Sequence, residues 1–384
     1  MDTNVRLYKM RIGILSLPPF MNYGGILQTY ALQQVLNQLG HDVVVLDRRN
    51  KASLSFVNIL IKCKKLLCRY ILGKPIYNYD DRKQEYYNVR YDVFVKFINN
   101  NIHISKPIYS TEGLTEAIRR YNLNAIIVGS DQVWRPICVP SIDDYFLGFL
   151  QDDETVAAIA YAASFGTSDW EYSLEQEFKF SKYIGRFDAV SVREKDAVWL
   201  CENHFNVSAE MVLDPTMLLD REFYLSICYS INKTKNPLPR NVSYVLDKSE
   251  YKCELMSKMS DLVEGDISAI PVHVDDGDFL SVPEWLFWIS NANYVITDSF
   301  HGCVFSIIFN VPFIALSNDV RGQSRIRSLL DTFSLSDRLC VNSDHLESIV
   351  NKKIDWLDVN EKLMTLRLSS LSFLKNNLYE KIVK

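Results

Sequence analysis

The chain lacks the signals that mark several large classes of protein. Its eight cysteines form no CxxC pair and no cysteine–histidine cluster with zinc spacing, a pattern that favours reduced, mostly buried thiols in a cytoplasm. No secretory signal is visible, and no stretch approaches the roughly 20 apolar residues of a membrane span. Neither a P-loop nor a GxGxxG fingerprint occurs. A formal net charge of −5 argues against a general nucleic-acid binder, which needs a basic surface.

What is present fits a globular protein of two domains. The chain has 384 residues, of which 48% are hydrophobic and 23% charged, and this length exceeds one typical domain. Residues 232–241 are polar, carry two prolines and lack periodicity, as expected of a linker. We therefore predict an N-terminal Rossmann-like domain over 1–231, a second over 242–356, and a final helix over 357–384 that could cross back to the first.

Strand and helix patterns alternate along both halves. An apolar run at 11–17, a helical pattern ending at Gly40 and a second apolar run at 42–47 form a βαβ unit, which makes parallel sheets. Further strands are predicted at 125–128, 156–162, 189–192, 211–213, 242–246, 267–272, 294–297 and 313–316. The fold class is therefore α/β, with two Rossmann-like domains facing across a cleft. Ligands of such folds bind at the carboxyl ends of the strands.

Two polar segments in the first half follow predicted strands. Asn22-Tyr-Gly-Gly25 follows the first strand, and its glycines allow backbone N–H groups to approach an anion or a sugar; a plain tight turn is an equal alternative. The second segment, Gly129-Ser-Asp-Gln-Val-Trp134, follows the strand predicted at 125–128. Its Asp131 and Gln132 can hydrogen-bond sugar hydroxyls, and its Trp134 can stack on the face of a sugar ring. The alternative there is that Asp131 or its neighbour caps a helix and Trp134 packs in the core.

Arg193 and His301 also follow predicted strands. An arginine at a strand end can hold a carboxylate or phosphate with two hydrogen bonds, although a surface ion pair with Glu194 is the alternative. A histidine beside a helix N-terminus is placed for proton transfer near neutral pH, although most lone histidines are structural. In that case Asp298 or Ser299 simply caps the helix.

Two charged loops in the second half complete the candidates. Arg325 and Arg327 flank a predicted helix N-terminus, which favours anions, and the alternative is a solvated basic loop. Asp275-Asp-Gly-Asp278 contains the DxD spacing of some metal-dependent glycosyltransferases. An acidic solvated loop explains it better, so no metal site is predicted.

Read together, these segments resemble the polysaccharide pyruvyltransferase family. The matching stretches are NYGGILQTYALQQVL, GSDQVW, SVREKDA, VLDPTMLL, TDSFHGCVFSIIFNVPF and SRIRSLL, in the family's order from about 12 to 333. The resemblance implies two domains arranged as in GT-B glycosyltransferases, phosphoenolpyruvate as donor and co-substrate, and a ketal-linked pyruvate as product. No further cofactor is required by that chemistry.

The resemblance also assigns individual residues. His301 matches the family's essential histidine, and Arg193 matches an arginine associated with the donor. Members of the family often have arginine–leucine–histidine where this chain has Ser299-Phe300-His301, so an expected donor-binding arginine is missing. We hypothesise that Arg325 or Arg327 replaces its charge.

The complete set of predicted site residues divides by substrate. His301 is the catalytic candidate. The donor candidates are Arg193, Ser299, Gly302, Arg325 and Arg327. The acceptor candidates are Asn22, Tyr23, Gly24, Gly25, Asp131, Gln132 and Trp134.

The expected acceptor is a lipid-linked or nucleotide-linked saccharide, met in the cytoplasm or at the inner face of the cell membrane. Residues 59–74 interleave five cations with large apolar groups, as does a helix lying on an anionic membrane; a basic helix packed on the first domain is an equal alternative. Two other functions stay open. One is a GT-B glycosyltransferase using a nucleotide sugar, with Glu284 as a ribose contact, and the other is a non-catalytic saccharide-binding protein.

Overall fold

The structure is a computed structural model, and it describes residues 9–19, 22–50, 92–150, 155–229, 240–273, 276–318 and 323–383. The basic segment 59–74 and most of the predicted linker 232–241 lie outside the described residues. None of the described helices is long and apolar enough to cross a bilayer.

The first sheet contains six parallel strands in the order β2-β1-β3-β4-β5-β6. Their bounds are β1 Arg11–Leu15, β2 Asp42–Val45, β3 Ala125–Val128, β4 Ala157–Ala163, β5 Ala189–Val192 and β6 Glu210–Met211. The two central strands, β3 and β4, are apolar runs that are buried along their whole length, as in sheets covered by helices on both faces.

Helices cover this sheet on both sides. They are α1 Tyr23–Gln38, α2 at 92–101, α3 Thr111–Tyr121, α4 Ile142–Tyr145, α5 Leu174–Ile184, α6 Lys195–Phe205 and α7 Arg221–Cys228. A 3₁₀ turn, Pro215–Leu218, follows β6. Side-chain caps explain several of the boundaries; for example, Ser173 and Gln176 form a reciprocal capping box at the start of α5.

The second sheet contains five parallel strands in the order β11-β10-β9-β7-β8. Its strands are β7 Asn241–Tyr244, β8 Ile267–Ala269, β9 Tyr294–Thr297, β10 Phe313–Leu316 and β11 Leu339–Cys340. Its helices are α8 Glu250–Leu262, α9 Val282–Asn291, α10 Phe300–Phe309, α11 Ser324–Thr332 and α12 Leu346–Asn351. Two parallel, helix-covered sheets confirm the predicted fold class.

The last helix, α13 Trp356–Val383, lies against elements of both sheets. At its start, Lys362 donates to Ser334 Oγ in the second unit at 2.8 Å. Farther along, Arg367 donates to the Met217 carbonyl at 2.8 Å, and Ser370 Oγ accepts from the backbone N–H of Leu213 at 3.0 Å. The helix therefore ties the second unit back to the loop that follows β6.

The two units meet at the carboxyl ends of their sheets. Tyr23, the first residue of α1, donates to the Leu280 carbonyl at 2.6 Å and stacks on Trp285 with ring centroids 5.2 Å apart. On the other side of the contact, the Lys195 backbone N–H donates to Ser328 Oγ at 3.2 Å. One apolar cluster runs from the first sheet through α1 into the second unit, so the units share part of their core.

The structure corrects some predicted boundaries. The predicted strand 211–213 ends at Met211, because the chain turns into the 3₁₀ turn at Pro215. The segment Asn22–Gly25 is not a loop: Asn22 is the N-cap of α1, and its side chain accepts from the Gly24 backbone N–H at 3.0 Å. Asn caps favour such a start, and they place both glycines in the first helical turn.

A buried ion pair fixes the segment between β9 and α10. The Asp298 side chain is fully buried and accepts from Lys252 Nζ at 2.6 Å and from Asn318 Nδ2 at 2.9 Å. It also accepts from the backbone N–H groups of Leu246 at 2.6 Å and Asp247 at 3.1 Å. One carboxylate therefore joins the ends of three neighbouring strands, three residues before His301.

We expect Lys252→Met to lower the free energy of unfolding by about 3–5 kcal/mol, because it leaves the buried Asp298 carboxylate without its cation. The matched control is Lys248→Met, which removes an ion pair with Asp276 from a lysine whose side chain is 57% exposed; its cost should be about 0–1 kcal/mol. Urea unfolding followed by circular dichroism measures both, and equal costs would contradict the importance given to the Asp298 network.

Candidate active site between the two sheets

His301 lies where the two units touch. It is the second residue of α10, whose N-cap is Ser299, and it is 8% exposed. Its ring rests on α1: a Cβ added to Gly24 would lie 2.0 Å from His301 Nδ1. Because Gly24 has no side chain, α1 can lie directly against the His301 ring. This arrangement differs from the prediction for Gly24, namely that its backbone contacts a sugar.

A buried carboxylate stands on the other side of the histidine. His301 Nε2 lies 3.7 Å from Asp214 Oδ2, which is an electrostatic contact rather than a hydrogen bond. Asp214 belongs to the first unit, in the turn after β6. The acid and the histidine thus come from different sheets and meet at the interface.

Asp214 is the most heavily hydrogen-bonded side chain of the site. Its Oδ1 accepts from the backbone N–H and the hydroxyl of Thr216 at 3.0 and 2.6 Å. Its Oδ2 accepts from Arg193 Nη1 at 3.0 Å, from Gln28 Nε2, and from Ser130 Oγ at 3.4 Å. Burial alone would raise the pKa of Asp214, but His301, Arg193 and Thr216 outweigh burial and hold it well below its usual range.

Arg193 is buried within the same cluster. Its side chain is 2% exposed, and its guanidinium stacks on the ring of Phe300 at 4.5 Å. Besides Asp214, the carboxylates of Glu194 and Asp131 lie 3.7 and 3.8 Å away. Burial alone would lower the pKa of Arg193, but these three carboxylates raise it. The guanidinium is therefore buried and charged, unlike a surface ion pair.

The two arginines of α11 point in different directions. Arg325 reaches into the interface, where Nη1 lies 4.0 Å from Asp131 Oδ1, and Gln132, with its amide oxygen facing α11, accepts from Arg325 Nη2 at 2.8 Å. Burial and then the neighbouring Arg193 lower the pKa of Arg325 to about 10, so it stays charged at neutral pH. Arg327 is exposed and donates to Gln323, which removes it from the predicted donor site.

Two residues predicted to contact the acceptor pack inside the protein instead. Trp134 is fully buried, stacks on Phe146 with centroids 5.3 Å apart, and donates to the Tyr145 carbonyl. It therefore cannot stack on a sugar, and the packing alternative is correct. Tyr23 is likewise 3% exposed and buried among aromatic rings, so it is part of the core between the units rather than an acceptor contact.

Ser299 and Gly302 serve the start of α10. Ser299 Oγ accepts from the Gly302 backbone N–H at 3.4 Å, as an N-cap does. A Cβ on Gly302 would lie 2.2 Å from Thr297 Oγ1, so this glycine allows α10 to pack against the end of β9. Both residues shape the start of α10 and thereby position His301.

The residue at the centre of the site, Asp214, is not among the predicted site residues. Asp214 lies within the quoted VLDPTMLL stretch, directly after the last predicted strand of the first domain, so the strand-end rule applied to it as it did to Arg193. Gln28 and Thr216 gave no such signal, because the first lies inside a helix and the second inside a turn. The structure also shows why Glu284 is no ribose contact: it closes a capping box with Ser281.

The cluster has hydrogen-bonding capacity left for a polar ligand. Within the described part of the chain, Arg193 Nε and Nη2, His301 Nε2 and Glu194 Oε2 are buried and make no hydrogen bond. Two guanidinium groups face three carboxylates, so the cluster has no excess positive charge of its own. A cavity of about 30 Å³ lies beside Arg193, Asp214 and Phe300, and it has room for a water-sized group next to the guanidinium.

No described group of three His, Cys, Asp or Glu side chains is close enough to share a metal ion. Within the predicted DxD segment, Asp276 accepts from the Val272 and His273 backbone N–H groups and pairs with Lys248. This carboxylate is therefore engaged in holding its own loop.

Comparison with solved structures shows a similar fold in other proteins. The chain is similar to the N-terminal domain of trehalose-6-phosphate phosphatase from Candida albicans, with 11% identity, a TM-score of 0.52, and coverage of 99% of this chain and 98% of that one. It is also similar to UDP-GlcNAc 2-epimerase from Methanocaldococcus jannaschii, with 12% identity, a TM-score of 0.52, and coverage of 94% and 99%. At such identities the likeness concerns the fold alone.

Comparison of the sequence with protein families is more specific. A search of curated proteins gives no significant match. The family described as polysaccharide pyruvyl transferase matches residues 22–320, a range that includes the N-cap of α1, Asp131, Arg193, Asp214 and His301. This match spans well over half of the chain, which therefore belongs to the polysaccharide pyruvyl transferase family.

Proposed function

We propose that the protein transfers a pyruvyl group from phosphoenolpyruvate to a sugar of a surface polysaccharide precursor and releases phosphate. The observation that carries the proposal is the buried contact of His301, from the second unit, with Asp214 of the first unit, the carboxylate that also holds Arg193. The reaction requires a group that transfers a proton and a cationic group that binds the carboxylate and phosphate of the donor. Family membership supports the same reaction class.

The reaction needs one proton transfer to carbon. The methylene carbon of phosphoenolpyruvate takes a proton and becomes a methyl group, so the carbon bearing the carboxylate becomes electrophilic. One sugar hydroxyl adds there, and a second hydroxyl of the same sugar displaces phosphate. Of the two hydroxyl protons, one balances the new methyl hydrogen and the other leaves with phosphate. His301 either delivers the first proton or removes one from a hydroxyl, a contribution of roughly 10²- to 10⁴-fold.

The arginines are proposed to bind the donor's carboxylate and phosphate. Arg193 is held by Asp214, and two of its nitrogen atoms, Nε and Nη2, make no hydrogen bond with described residues. Arg325 is held by Gln132 and lies near Asp131, so the donor would replace these two side chains around its guanidinium. Arg325 would then provide the positive charge that is missing at Ser299, the position where members of the family often have an arginine.

The acceptor is proposed to be a lipid-linked or nucleotide-linked saccharide. Asp131 and Gln132, once released from Arg325, are the described side chains best placed to meet its hydroxyls. Peripheral membrane contact through 59–74, at the inner face of the membrane, stays a prediction.

The direct test measures phosphate release from phosphoenolpyruvate with galactose-, mannose- and N-acetylhexosamine-containing acceptors, for the wild type and His301→Ala. We expect acceptor-dependent release that falls by roughly 10²- to 10⁴-fold in the variant. Failure of every acceptor, together with no thermal stabilisation by phosphoenolpyruvate, would instead favour a nucleotide-sugar enzyme or a binding protein.

The adjacent glycines of α1 give a matched pair of variants. Gly24→Ala should lower kcat by on the order of 100-fold, because its new methyl group displaces the His301 ring and misplacement by about 1 Å has that effect. Gly25→Ala should leave kcat near that of the wild type, since its Cβ would meet no atom closer than 3.7 Å. Equal rates for the two variants would show that the position of His301 does not matter.

Arg325 and Arg327 provide a second matched pair. Arg325→Ala should raise the KM for phosphoenolpyruvate by roughly 10- to 150-fold, the value of one hydrogen bond to a charged group. Arg327→Ala should leave this KM unchanged, because its side chain faces solvent. Steady-state kinetics at saturating acceptor measure both, and an unchanged KM in both variants would disprove the replacement of the missing arginine.

A further inference from the structure

One side of α13 carries four exposed apolar residues spread along its length. Leu357, Met364, Leu368 and Tyr379 have 72%, 61%, 59% and 48% of their surface accessible. The opposite face packs on both units through buried side chains such as Leu374. An isolated exposed leucine needs no explanation, but four large apolar residues exposed on one side of a single helix mark a candidate contact surface.

The exposed residues form one straight row. With Glu361, Ser372 and Lys375 they follow one another at intervals of three or four positions, which places all seven on the same side of a helix. From Leu357 to Tyr379 the row spans roughly 33 Å at 1.5 Å per residue. We call these seven residues the α13 seam; they are Leu357, Glu361, Met364, Leu368, Ser372, Lys375 and Tyr379.

The α13 seam is symmetric about Leu368. Leu357 and Tyr379 lie eleven positions on either side of it, Glu361 and Lys375 seven, and Met364 and Ser372 four. If two copies of the helix pack antiparallel with Leu368 at the two-fold axis, each Glu361 faces the partner's Lys375. Opposite charges then meet twice, and each apolar end meets an apolar end.

The seam carries two charged residues, one of each sign. Neither Glu361 nor Lys375 has an ion-pair partner among the residues that the structure describes. Two charged neighbours off the seam are engaged within the chain: Lys362 pairs with Asp358, and Arg367 donates to two backbone carbonyls. In the antiparallel arrangement, Glu361 meets Lys375 of a second copy.

We propose that the protein forms a two-fold symmetric homodimer through the α13 seam, with the two helices antiparallel and crossing at Leu368. The interface is isologous, since the same surface of each subunit is used and residues exchange partners across the axis. The row of apolar residues supplies the burial, and the two Glu361–Lys375 pairs fix the direction and the register.

The first experiment is sedimentation equilibrium of the full chain over a range of concentrations. We expect a monomer–dimer equilibrium for the wild type and a monomer for Leu368→Glu, because two carboxylates would meet at the axis. Leu174→Glu, a change at a leucine of α5 that is 84% exposed, is the matched control and should still dimerise. Unchanged circular dichroism and melting temperature show that each variant is folded.

A charge swap tests the register. Glu361→Lys and Lys375→Glu should each raise the dimer Kd by at least roughly tenfold, since each places like charges opposite each other twice. Mixing the two single variants in equal amounts should restore dimers, as should the double variant, because both combinations pair opposite charges again.

Three results would overturn the proposal. They are a wild type that stays monomeric at every concentration, a dimer that Leu368→Glu does not weaken, and a mixture of the single charge variants that does not recover. If the wild type were monomeric but bound anionic vesicles in a way that Leu368→Glu abolished, the seam would be a membrane contact instead. None of these outcomes depends on the catalytic proposal.

Discussion

The carboxylate of Asp214 is the group on which the site depends. Moving a carboxylate out of water costs several kcal/mol unless hydrogen bonds and a cation replace the lost hydration. Here the carboxylate accepts hydrogen bonds from four parts of the first unit. The donors are Gln28 of α1, Ser130 after β3, Arg193 at the end of β5 and Thr216 in the turn after β6. Four separate parts of the first unit are thus held in a fixed arrangement, and His301 of the second unit completes the ring of contacts.

His301 and Asp214 must lie close together, and this requirement explains which residues form the interface. His301 can reach Asp214 only if α10 comes within van der Waals contact of α1, and Gly24 is the residue that permits it. On the side of α10, Gly302 allows the helix to lie on the end of β9, and the Asp298 network keeps that strand end in place. Small residues and buried charges therefore serve the same purpose, which is to hold one imidazole beside one carboxylate.

Part of this arrangement could be predicted from the sequence, because local patterns determine where strands end. The apolar runs at β3, β5, β9 and β10 have their predicted bounds. Arg193 and Asp131, which both follow predicted strands, lie 3.8 Å apart at the same edge of the sheet. Helical geometry also predicts that Arg325 and Arg327 do not both face the site, since residues two positions apart in a helix point to nearly opposite sides.

Other parts depend on contacts between distant segments. Trp134 is in the core because Phe146 and Tyr145 lie beside it, and no local pattern distinguishes that tryptophan from one that meets a sugar. Gly24 and His301 are 277 positions apart, and their contact exists only when both sheets are formed. Asp214 followed a predicted strand but had no charged neighbour in sequence to indicate its partners.

The most direct test of the central role of Asp214 is the unfolding free energy of the wild type and of Asp214→Asn as a function of pH. A carboxyl group whose pKa is lowered by folding stabilises the protein above its unfolded pKa of about 3.9, and that stabilisation is lost as the pH falls below it. We predict that Asp214→Asn costs about 3–5 kcal/mol at pH 7, and that the difference from the wild type shrinks as the pH falls from about 4 toward 2. A small difference at pH 7, or one that does not change with pH, would contradict the account.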